Sequence, residues 1–70
     1  MDITYNLMVM DAGQTHYAKA GQARLAREPV PGAELRLAIG GELRPCRVEQ
    51  VYIPPGCGEH CIGTLFICVL

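Results

Sequence analysis

Five consecutive positions, Cys57, Gly58, Glu59, His60 and Cys61, hold the densest group of side chains that could bind a metal or attack a carbonyl. Cys57, His60 and Cys61 offer two sulfur ligands and one nitrogen ligand. Cys46 or Cys68 would complete a tetrahedral zinc site if folding brought either one near. The spacing is imperfect, because the common zinc knuckle separates its paired cysteines by two residues and usually has a second pair. Cys57 and Cys61 are also close enough in sequence to close a disulfide across a turn. A third chemistry is a thiolate activated by His60. No residue is available to orient such a base, and seventy residues leave little room for a substrate cleft, so no enzyme is expected. The plainest expectation for the segment is a polar, glycine-shaped turn whose cysteines have no chemical duty.

The elements that would position this loop are short and alternating. Ile3, Tyr5, Leu7 and Val9 alternate with Thr4, Asn6, Met8 and Met10, the period of a strand. Asp11 to Thr15 reads as a turn. His16 to Glu28 is ambiguous, since its alanines suit a helix and Asp11 with Gln14 has the spacing of a capping box. Against a helix stand Gly21 in mid-segment, the absence of a 3.6-residue apolar period, and the proline at 29. The spacing therefore predicts a long second strand, bent or bulged near Gly21.

Pro29-Val-Pro-Gly32 is a corner that holds Val30 extended between two prolines. Leu35, Leu37 and Ile39 then point one way while Glu34 and Arg36 point the other. Gly40-Gly41 is a hairpin turn, and Leu43 to Ile53 forms a fourth strand with Pro45 marking its start. Val48 and Val51 are three apart, so one bulge must intervene if both face a core. Pro55-Gly56 suits a type II turn, and Ile62 to Leu70 is the closing strand.

This order resembles the SH3-like small barrels: a hairpin, then Pro-x-Pro-Gly-x-x-Leu-x-Leu, a glycine turn, Val48-x-x-Val51, and a short last strand. The resemblance implies an all-β fold, a five-stranded SH3-like barrel or strongly curled antiparallel sheet, in one domain over residues 1–70. It carries no functional residue. Peptide-binding SH3 domains line a proline groove with clustered aromatics and a tryptophan. This chain has no tryptophan, and only Tyr5, Tyr17, Tyr52 and Phe66 as aromatics, so polyproline recognition is not expected.

Composition narrows the partners further. The net charge of −1 provides no long-range attraction for nucleic acid or an anionic membrane. Arg24, Arg27, Arg36, Arg44 and Arg47 alternate with Glu28, Glu34, Glu42 and Glu49, the usual dress of a solvated sheet face. A weak nucleic-acid-binding barrel stays as an alternative, lacking the stacking platforms that role normally uses. No basic leader or membrane-length apolar run is visible, which points to the cytoplasm and to reduced cysteines.

The last strand is the most informative about function. Leu65, Ile67 and Val69 form one apolar face, and Ile62, Phe66, Cys68 and Leu70 form another. Met8 and Met10 repeat the pattern on the first strand. A barrel interior uses only one face of each strand, so the other is covered by the chain itself or by another protein. The expected function is a non-enzymatic protein-interaction or assembly module, with a homodimer as one form of it, docking through Met8, Met10, Phe66, Cys68 and Leu70. A zinc-stabilised module using Cys57, His60, Cys61 and Cys46 is the other alternative.

Overall fold

A computed structural model of the chain describes residues 2–56 and 61–70. The described residues contain no helix. Five strands, β1 (Ile3–Met10), β2 (Ala18–Leu25), β3 (Glu34–Ile39), β4 (Glu42–Tyr52) and β5 (Ile62–Val69), form one sheet in the order β2-β1-β5-β4-β3. The sheet curls through 215° into a half-barrel. The all-β expectation holds, with one departure from an all-antiparallel sheet: β1 and β5 pair in parallel, Thr4 opposite Ile62 through Met10 opposite Cys68. The reason is arithmetic. Strands that alternate in direction along the chain leave the first and fifth pointing the same way.

The inner side of the curl is the core. Tyr5, Leu7 and Val9 from β1 meet Leu65, Ile67 and Val69 from β5, with Leu37, Cys46 and Val48 completing a fully or nearly fully buried cluster. These positions follow the two-residue period of each strand, as the strand pattern requires. Two irregularities keep the alternation on the core. The β1–β2 register shifts between Asn6 and Met8, opposite Gly21, whose φ of 89° a side chain would strain. The β4–β5 register shifts between Val48 and Gln50, so Val48 is buried and Val51 packs against the same core. Both bulges were expected.

Strand ends differ from the sequence pattern for reasons of partnership. β2 covers Ala18–Leu25 rather than 16–28; its pairing with β1 runs from Val9 opposite Ala18 to Ile3 opposite Leu25, and since β1 begins at Ile3 no β1 residue is left to pair beyond Leu25. Pro45 lies inside β4 rather than at its start. It is tolerated because it faces Arg36 at a position where β3 and β4 exchange no main-chain hydrogen bonds, while its carbonyl accepts from Leu70 N at 3.1 Å.

Gly63 is buried opposite Tyr5. A β-carbon there would lie 2.8 Å from the Tyr52 carbonyl oxygen and 2.9 Å from Cδ1 of Tyr5. Only glycine leaves room for the Tyr5 ring beside the β5 backbone at that point.

Candidate functional site

The outer face of the β1–β5 pair carries the residues expected to dock a partner. Parallel register sets Met8 opposite Phe66 and Met10 opposite Cys68, so four apolar side chains form two adjacent rows on the convex surface. All four are half-buried. Leu70 continues the same parity beyond Cys68 and is 53% exposed. Tyr17, which precedes β2, packs edge-on against Phe66 with ring centroids 5.2 Å apart. An edge-to-face aromatic pair contributes about 1 kcal/mol beyond its burial. Tyr17 therefore covers part of the face from within the chain, a contact the sequence pattern did not reveal. Beside it the 13–18 turn bounds a shallow hollow of about 390 Å³.

Polar and charged groups frame these rows. Lys19 lies opposite Met8 on one side, and Gln50 lies opposite Phe66 on the other. Arg47, opposite Cys68, donates to Glu49 Oε1 at 3.0 Å, and this carboxylate contact favours the charged form of the guanidinium. Gln22 donates to Asn6 Oδ1 at 2.9 Å near the other end of the face. The face is thus apolar at its centre and polar at its margin.

The cysteines are dispersed. Cys46 is fully buried in the core, its thiol donating to the Arg44 carbonyl at 3.4 Å. Burial raises its pKa above 9.0, the effect being opposed by the nearby Arg44 guanidinium. It pairs with Val69, whereas Cys61 precedes Ile62 at the opposite end of β5. A strand rises about 3.3 Å per residue, which separates the two by more than about 20 Å. The structure does not bring Cys46 to Cys61. Cys46 and Cys68 are free thiols, but Cys61 is disulfide-bonded, so the expectation of four reduced cysteines fails there. Cys57 and His60 lie outside the described residues. Among the described residues, no group of three or more His, Cys, Asp or Glu is placed to hold a metal ion.

The arginines also separate. Arg24 pairs with Asp2 at 3.5 Å, Arg44 with Asp11 at 3.5 Å, and Arg47 with Glu49. Lys19, Arg27 and Arg36 make no ion pair among the described residues, and all three are exposed. None of the described strands or turns is a helix long and apolar enough to cross a membrane.

Two further groups went unnoticed in the sequence. The Tyr5 hydroxyl is buried without a hydrogen-bond partner among the described residues, and burial, then the charge of Glu28, raises its pKa above 10.0. A pocket of about 290 Å³ lies between β2 and β3, walled by Leu25, Pro29, Val30, Ala33 and Leu35, with Arg27 and Glu28 at its rim. No family model matches this chain, and no curated protein or solved structure matches it either.

Proposed function

We propose that this protein is a non-enzymatic interaction or assembly module that docks another protein on the convex face of β1 and β5. The observation that carries the reading is the pair of apolar rows, Met8 with Phe66 and Met10 with Cys68, on the side of the sheet facing away from its core. Half-buried sulfur and aromatic side chains suit such a surface, because methionine adapts its shape to a partner and aromatics supply most of the contact energy. Leu70 extends the patch, and the Lys19, Gln50 and Arg47–Glu49 frame sets its limits. In shape, we read the half-barrel as SH3-like, with docking moved from an aromatic groove to a sheet face.

The test is Phe66→Asp, followed by light scattering for self-association and by affinity capture for other partners. Burying a carboxylate at the centre of an interface costs enough to weaken association by at least about a hundredfold. Circular dichroism controls for folding. A folded variant that associates as the parent does, or a parent with neither dimer nor partner, removes this reading.

A further inference from the structure

The sheet is open, and its two edges differ. Five strands make four intervals, so the 215° curl amounts to about 54° per interval. At that curvature the missing arc is worth between two and three intervals, on the order of 13 Å at ~4.8 Å per strand spacing. The gap is too wide for β2 and β3 to bond to each other and wide enough to admit one more strand. It is a wedge. β2 and β3 touch little, and Leu25 and Leu35 share a pocket at the end where residues 26–33 join the strands, so the gap is inferred to widen toward the far ends, Ala18 and Ile39.

The β2 edge is guarded by its bulge at Gly21 and by Lys19, both common defences against strand pairing. The β3 edge has no bulge, no proline and no glycine between Glu34 and Ile39, and its register with β4 is unbroken over six pairs. The hydrogen-bond phase shows which groups it offers. Val48 N donates to the Ala33 carbonyl at 2.8 Å. Every second pair shares that phase, so the main-chain groups of Leu35, Leu37 and Ile39 serve β4. Those of Glu34, Arg36 and Ala38 point off the sheet.

Charge identifies what fits. On the convex side the open part of the wedge is flanked by Arg36 from β3 and Lys19 from β2, with Arg27 at the pocket rim, and these are the three cations without an ion pair among the described residues. Glu34 and Glu28 sit at the closed end. On the concave side the wedge is apolar. We infer that the wedge binds an extended acidic–aliphatic segment of a partner polypeptide as a sixth strand on the β3 edge. Its carboxylates lie beside Arg36 and Lys19, and one aliphatic side chain fills the Leu25–Leu35 pocket. This site is centred away from the Phe66 face, since β5 is the central strand of the sheet and the wedge lies between its outermost strands; Lys19 alone borders both.

The probe is a capped hexapeptide alternating glutamate and valine, with a lysine–valine hexapeptide as the charge control. Backbone amide NMR reads the site. The expected result is shifts at Leu25, Leu35, Arg36 and Ala38, with amide exchange at Arg36 and Ala38 slowed by about tenfold or more. The lysine peptide binds at least about tenfold more weakly. Ala38→Pro removes an edge donor without touching a β3–β4 hydrogen bond and abolishes binding. Arg36→Glu, which needs no backbone change, reverses the preference between the two peptides. No shift at about 2 mM glutamate peptide, equal binding of both peptides, or shifts centred on Phe66 overturns the inference. So does concentration-dependent protection of the same amides in the protein alone, which would mean that a second copy occupies the edge.

Discussion

Gly63→Ala puts the packing at the β1–β5–β4 junction to a direct test. The added methyl would lie 2.8 Å from the Tyr52 carbonyl oxygen and 2.9 and 3.0 Å from two carbons of the Tyr5 ring. Neither neighbour can retreat cheaply. Tyr52 is held in the β4–β5 ladder opposite Thr64, and the Tyr5 ring is wholly buried. Overpacking of this kind costs about 1–3 kcal/mol. A domain of this size has only about 3–5 kcal/mol in hand, so the variant loses a large share of its stability. With a urea dependence of about 1 kcal/mol per molar, the midpoint falls by roughly 1–3 M. Urea titration followed by circular dichroism measures it. Adding Tyr5→Leu relieves the ring contact but leaves the carbonyl contact, so the two substitutions together destabilise by less than their sum. A Gly63→Ala midpoint within about 0.5 M of the parent's, which is about 0.5 kcal/mol at that slope, would refute the packing argument.

Tyr5→Phe removes a buried hydroxyl that has no partner among the described residues, and should leave stability unchanged or raise it by about 1 kcal/mol; a loss of that size would show that the hydroxyl is satisfied in solution. Alkaline pH should destabilise the fold. Tyr5 and Cys46 both have folded-state pKa values above their ordinary values of 10.0 and 9.0. The unfolded chain therefore releases these protons first, so their contribution is intact below about pH 9 and is lost as pH rises through the folded values. Urea midpoints at about pH 8 and about pH 10.5 measure the loss, Cys46→Val removes the thiol's share, and a flat profile would contradict the assigned burial.

Local signals were legible in the residues. The β1 alternation, the Gly40-Gly41 hairpin and the two bulges follow from spacing alone, because a bulge is the only way that Val48 and Val51 can share a core. The second apolar face of β5 was equally plain. What could not be read were relations between distant residues. Alternation does not say which strands are neighbours, so the parallel β1–β5 pairing was missed. Gly63 looks unremarkable until Tyr5 is known to lie opposite it. Pro45 reads as a strand start unless the hydrogen-bond phase against β3 is known. The gap between β2 and β3 depends on how strongly the sheet curls, a sum of small twists that no single residue encodes. At the loop ending in Cys61, ligand chemistry was suggested by composition, but Cys46 lies at the far end of a strand.

The parallel pairing has a kinetic consequence. Thr4 meets Ile62 across 58 positions of chain, and that contact joins the two strands that supply most of the core. Hairpins β1–β2 and β3–β4 can form early because their partners are close in sequence. The half-barrel can cohere only once β5 arrives to bridge them, so high contact order makes this a slow folder for its length. Until then β1 presents an unbonded margin to every other chain nearby, and aggregation should compete with folding most strongly in that interval.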